Sequence, residues 1–157
     1  MLTEENTLTD ISKKIIDSLP YGPSFCFVDE ISHIDENGVV GSYTFHKDHS
    51  FYRDHFVDYP LTPGVILTEC MAQIGMVCLG IFLRNFDMGK DGLKLAFTSS
   101  KVDFRVPVLP GEKVTVKSEK VVFRLGKLRC NVQLFKEDDT LAAKGVLDGF
   151  IFSGDKK

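Results

Sequence analysis

No basic stripe, no paired-cysteine motif and no apolar leader occurs in this 157-residue chain, and each absence closes off a class of function. The 19 Lys and Arg stand against 22 Asp and Glu, for a net charge of −3 and a pI near 5.8. The doublets Lys13-Lys14 and Lys156-Lys157 are too short to neutralise a run of phosphates, which argues against nucleic acid as a partner. The 4 cysteines (Cys26, Cys70, Cys78 and Cys130) form no CxxC and no His/Cys cluster with metal-ligand spacing. Each lies among apolar neighbours, where a reduced thiol behaves as a small hydrophobe. The first twenty or so residues carry acids early and lack an apolar segment, so no secretory signal is expected and the cytoplasm is the expected location. No internal repeat, low-complexity tract or linker interrupts the chain. With 43% hydrophobic residues, it reads as one domain over 1–157 with a sizeable core.

What the chain does have is one long apolar run behind a proline-rich entry. Asp54-His55-Phe56-Val57-Asp58-Tyr59-Pro60 leads through Leu61-Thr62 to Pro63-Gly64, and apolar residues dominate from Val65 to Leu83. Proline at a helix entry costs nothing where its missing N–H has no use, so a central helix is expected over about 64–83. Val65, Ile66, Leu67, Cys70, Met71, Ile74 and Val77 cover every face of it, and such a helix should be surrounded by protein. Gly75 and Gly80 cost some helix stability but allow another backbone to come close. The run is long enough to span a bilayer, but Thr68, Glu69 and Gln73 inside it argue for a soluble core helix. Glu69 is its only acidic or basic residue, and Gln73 sits four positions on, along the same face. A carboxylate in apolar surroundings must be paired, hydrogen-bonded or neutral. Glu69 is therefore the first functional candidate, against the plainer reading of an acid stabilised near a helix N-terminus.

The other elements follow in order. Thr9 or Asp10 can cap a helix over about 8–18 with Ile11, Ile15 and Leu19 on one face. Ser24 to Ile34 reads as a strand, Asp35-Glu36-Asn37-Gly38 as a hairpin turn, and Val39 to His46 as its partner. Lys47 to Tyr59 is expected to be a loop with one short helical turn. After the central helix, Leu93–Phe104, Lys113–Leu125, Leu128–Phe135 and Leu141–Phe152 all read as strands. The fold class is α+β: a curved antiparallel sheet wrapped around one buried helix, with a bare sheet edge that favours edge-to-edge dimers.

His55-Phe56, Pro60, Pro63-Gly64-Val65 and Glu69-x-Met71-Ala72-Gln73 closely resemble the signature of the β-hydroxyacyl-ACP dehydratases of the FabZ type. There a His-Phe leads through Pro-x-x-Pro-Gly-Val to Glu-Ala-Met-Ala-Gln, with the same His-to-Glu spacing. Leu19-Pro20 through Phe27-Val28-Asp29 resembles that family's opening strand. Phe104-Arg105-x-Pro107-Val108-x-Pro110-Gly111-Glu112 resembles its Phe-Arg-x-Pro-Val-x-Pro-Gly-Asp segment. The resemblance runs from about Leu19 to Phe152 and implies the hot-dog fold.

It also implies chemistry: loss of water from a 3-hydroxyacyl thioester on acyl carrier protein to give the trans-2-enoyl product, in fatty-acid or polyene-type chain synthesis. His55 would be the base at the α-carbon, and Glu69, kept protonated by burial, would donate to the departing hydroxyl. The Gly64 N–H would face the thioester carbonyl, with Val65, Phe56 and Gln73 lining the substrate site. The family pairs His and Glu from two subunits, so a homodimer with interfacial sites is implied. No cofactor is implied, since neither proton transfer needs one. The chain departs from the pattern at Asp54, Val57 and Tyr21, where the family has Gly, Pro and His, and at Leu95, where it has an aromatic gate beside Phe97. Asp54 next to His55 would raise the imidazole pKa. Two other functions fit the fold: a hot-dog acyl-thioester hydrolase, and a non-catalytic acyl-binding partner subunit. Arg84, Lys101, Arg105, Arg124, Lys127 and Arg129 are candidates for a carrier-protein patch or simply a solvated face. His33, His46 and His49 carry no partner pattern and read as surface or strand histidines.

Overall fold

A computed structural model describes residues 4–89 and 92–153; Lys156-Lys157 lie outside the described residues. The first helix, α1, covers Glu4–Asp17. It begins about a turn before the expected cap, so Thr9 and Asp10 sit inside it; no proline or glycine precedes them to stop the helix. Its inner face is as the spacing required: Ile15 is fully buried, and Leu8, Ile11 and Leu19 pack against the core.

Six strands follow: β1 (Glu30–Asp35), β2 (Gly38–Thr44), β3 (Leu93–Phe104), β4 (Lys113–Arg124), β5 (Lys127–Lys136) and β6 (Leu141–Ser153). They form one antiparallel sheet in the order β1-β2-β4-β5-β6-β3. The short helix α2 (Phe51–Asp54) and the central helix α3 (Gly64–Leu83) lie between β2 and β3. The chain has the hot-dog fold, with the sheet curved around α3. β5 shows the physics most cleanly: Leu128, Cys130, Val132 and Leu134 are buried, and the residues between them face out. That period of two is what a strand with one wet face requires. Opposite them Met71, Ile74, Leu79 and Ile81 of α3 are buried, each such side chain contributing roughly 1.5–3 kcal/mol.

α3 is long and apolar enough to cross a membrane, but 72% of its apolar window is buried within the protein. It is a core helix, surrounded from Cys70 to Ile81. Its first turn is not covered: Val65 is 76% exposed. The helix is α-helical over Gly64–Ala72, widens into π-helical turns over Gln73–Cys78, and returns to α over Leu79–Leu83. Its two glycines admit side chains rather than backbone. A Cβ on Gly75 would lie 3.1 Å from Ser118 Cβ, and one on Gly80 would lie 1.9 Å from Ile151 Cδ1. Ser118 Oγ donates to the Gly75 carbonyl at 2.8 Å, which satisfies a buried hydroxyl.

The strand expected over Ser24 to Ile34 needs correction. Pro23–Phe25 is a single 3-10 turn and β1 starts only at Glu30. Phe25 and Phe27 are spaced as strand residues would be, but the Phe27 N–H is given to a side chain of α3 instead of a neighbouring strand.

Glycine is demanded where β6 meets β3. A Cβ on Gly145 would lie 2.3 Å from the Lys101 carbonyl oxygen and 2.9 Å from Val102 Cα, both backbone atoms of β3. Gly145→Ala is expected to cost about 1–3 kcal/mol of stability, read as a lowered urea midpoint with unchanged slope.

Candidate functional site

α2 and the loop after it hold His55. The imidazole Nδ1 lies 2.9 Å from the Leu61 carbonyl oxygen. A carbonyl can only accept, so Nδ1 carries the hydrogen of this bond, and in a neutral imidazole the lone pair is then on Nε2. The Leu61 N–H returns a bond to the His55 carbonyl at 2.9 Å, closing the loop. The His55–Phe56 peptide is cis, and the two rings stack with centroids 3.9 Å apart. Tyr52 bonds Thr62 through their hydroxyls, and the Thr62 N–H donates to Val108 at 3.0 Å, so both ends of the loop are anchored. Asp54 is exposed, with Arg53 Nε 3.8 Å from its carboxylate.

α3 begins at Gly64 with no side chain capping its N-terminus. The Ile66 and Leu67 N–H groups donate to the Pro63 carbonyl at 2.9 and 3.0 Å, so the Gly64 and Val65 N–H groups are the donors this end presents, together with the positive end of the helix dipole. A Cβ on Gly64 would lie 3.1 Å from the Phe104 ring. One turn on, Glu69 is half-buried, and Gln73 Nε2 donates to its Oε2 at 2.9 Å. Gln73 is 0% exposed. Its other amide hydrogen goes to the Phe25 carbonyl at 2.9 Å, and its Oε1 accepts the Phe27 N–H at 2.7 Å. One amide thus ties the carboxylate, the helix and the 23–27 segment together.

Among the described residues, Glu69 is the only acidic one on the wall of a cavity of about 420 Å³ between α3 and the β3/β6 edge. Tyr21, Ala72, Met76, Leu95, Phe97 and Phe150 line it with Glu69; His55 does not. Gly64, Val65 and Phe56 are also outside its lining. The two expected catalytic groups therefore do not share this cavity within one chain. Among the described residues no cluster of His, Cys, Asp or Glu is arranged to hold a metal.

Family-model comparison matches residues 19–144 to the FabA-like domain. The chain belongs to the FabA-like family. It is 33% identical over 119 residues to the 3-hydroxyacyl-[acyl-carrier-protein] dehydratase FabZ of Acinetobacter baylyi, covering 76% of this chain and 80% of that protein. Among solved structures it is similar to the dehydratase heterocomplex ApeI:P from Xenorhabdus doucetiae, with TM-score 0.74 and 16% identity over 88% of this chain and 91% of that one. It is also similar to a hypothetical thioesterase with coenzyme A from Streptococcus pneumoniae, with TM-score 0.60 and 14% identity over 93% and 97% of the two chains. At those identities the solved structures share the fold and no more.

Two side chains gain roles that spacing did not reveal. His49 is no bare surface histidine: its Nε2 lies 2.7 Å from the Tyr43 hydroxyl and its ring stacks on Phe51 at 4.9 Å. Burial, then the neighbouring His46, holds its pKa below the ordinary histidine value. The density of aromatics at Phe45, Phe51 and Tyr52 was the available signal. Arg129 Nε lies 2.7 Å from Asp148, whose carboxylate is buried, while the arginine side chain itself stays 44% exposed. Lys101, Arg105, Arg124 and Lys127 are exposed as well.

Proposed function

We propose that this chain removes water from 3-hydroxyacyl thioesters presented by an acyl carrier protein, releasing the trans-2-enoyl thioester. The observation that carries the reading is Glu69, half-buried, held by Gln73 and facing an apolar cavity. Its FabZ relatives are named for this reaction. His55 takes the α-proton on Nε2, the nitrogen left free by the bond to Leu61. Glu69, as the acid, passes a proton to the 3-hydroxyl as the C–O bond breaks. Water leaves, and the electron pair from the α-carbon forms the double bond. Enolate character on the thioester oxygen is met by the N–H groups of the uncapped helix start. The acyl chain lies against Ala72, Met76 and Leu95.

His55 does not line the Glu69 cavity, so in this reading a second copy of the chain supplies it. The bare outer edge of β3, paired on one side only by β6, supports a homodimer joined edge to edge. Phe56, Val65, Phe97 and Phe104 are exposed large hydrophobics that such a dimer would cover.

The test is turnover of a short 3-hydroxyacyl thioester by the wild-type protein, followed through the conjugated enoyl absorbance. Appearance of the enoyl band supports the reading. Release of free thiol in its place would assign the chain to the hydrolases whose fold it shares. A finer check is Gly64→Ala. The Phe104 ring that a methyl would meet is half exposed and free to turn aside, so stability should change by under about 1 kcal/mol. Turnover should fall roughly 10- to 100-fold, because the methyl displaces the thioester from the helix start.

A further inference from the structure

Beside Glu69 the cavity wall carries two more polar side chains, Tyr21 and the exposed Lys94. Tyr21 stands on the turn between α1 and the Pro23–Phe25 helical turn, half-buried, with its ring packed against the core. That turn is held firmly. The Leu19 N–H donates to Ile16 and the Phe25 N–H to Gly22, and the Phe25 carbonyl accepts from Gln73. The amide that positions Glu69 therefore also positions the segment bearing Tyr21. Both residues line the same cavity. Among the described residues no hydrogen bond joins the phenol to Glu69 or to any other group, and no buried side-chain polar atom lacks a partner. The hydroxyl is thus open to the cavity. Burial first, and then the charge of Glu69, push its pKa far up, so it remains a neutral O–H donor across the working range of an enzyme.

Resting on the dehydratase reading, we infer that Tyr21 is a third catalytic residue, donating a hydrogen bond to the substrate's 3-oxygen as that oxygen departs. The departing oxygen has two lone pairs. Glu69 transfers its proton to one while the Tyr21 O–H donates to the other and keeps its own proton. The C–O bonding pair passes to oxygen, the α C–H pair forms the alkene, and the proton on His55 balances the one lost from Glu69. A donor aimed where negative charge grows stabilises the transition state more than the ground state. The phenol and the carboxyl line one cavity without bonding each other, and in this proposal the substrate's 3-oxygen bridges them.

Tyr21→Phe removes only an oxygen that bonds no protein group, so the full-length variant should fold with an unchanged melting temperature. Two quantities are then compared with wild type: kcat on a short 3-hydroxyacyl thioester, and the inhibition constant of the saturated thioester of equal length. The expected result is a 10- to 100-fold fall in kcat, with the inhibition constant within about twofold, since the saturated ligand has no 3-oxygen. An unchanged kcat overturns the inference. Equal losses in both quantities also overturn it, because Tyr21 would then only shape the cavity. If wild type shows no dehydration in the same assay, the parent reading fails as well; wild-type turnover with an unaffected variant removes the Tyr21 role alone.

Discussion

Replacing Glu69 by Gln is expected to abolish nearly all dehydration while leaving the fold intact. Gln at this position can still bond the Gln73 amide, which donates to Glu69 Oε2 in the native protein, and it preserves the volume that faces the cavity. What it lacks is a transferable proton. Hydroxide is a poor leaving group, so loss of the acid falls on the barrier and not on binding. kcat should drop by about 10²- to 10⁴-fold with KM little changed. His55→Ala should lose as much, since the α-proton is only weakly acidic and Nε2 is its proposed acceptor. Steady-state rates of both variants on one 3-hydroxyacyl thioester check the pair. Because the residues act in one step, the double variant should be little slower than either single one. Hydrolysis that persists in His55→Ala would instead favour a thioesterase.

The largest structural effect is expected at Gln73. Gln73→Leu keeps most of the volume but removes three hydrogen bonds. The Phe25 carbonyl and the Phe27 N–H lose their partner. Phe27 is 1% exposed, so water cannot readily replace the amide there. An unsatisfied buried group costs about 1–3 kcal/mol, and with the Phe25 carbonyl the total should come to about 3 kcal/mol. Thermal unfolding would register it as a lowered Tm, and denaturant titration as a lower midpoint. Activity should fall further than the folded fraction does, because Glu69 loses the group that orients it. Activity that merely tracks the folded fraction would show that the bond to Glu69 has no catalytic role.

How much of this was readable from the chain depends on how local each cause is. The β5 pattern and the apolar run after Pro63-Gly64 are written in neighbouring residues, so the sheet followed from periodicity and the central helix from its entry signal and unbroken apolar length. The motif from His55 to Glu69 identified both candidate groups, because it is carried by one continuous stretch. Other features depend on partners remote in sequence. Phe25 and Phe27 alternate like strand residues, and nothing nearby says that Gln73 claims their backbone. Arg129 looks like any surface cation until the fold brings Asp148 beside it. The π-helical turns over Gln73–Cys78 leave no trace in a segment apolar on every side, since no polar face exists to show a change of phase. Nor could linear spacing reveal that the cavity faced by Glu69 is lined without His55.

The bare edge of β3 has a consequence for how much work each molecule can do. If pairing that edge completes the site, the unit of catalysis is a complex whose population obeys mass action. Specific activity then ceases to be a constant of the protein. It stays level while the chain is concentrated well above its self-association constant, and below that it declines in proportion to concentration. An assay run at high dilution would mistake dissociation for a weak enzyme. In a cell, halving expression near that threshold would remove more than half of the catalytic capacity.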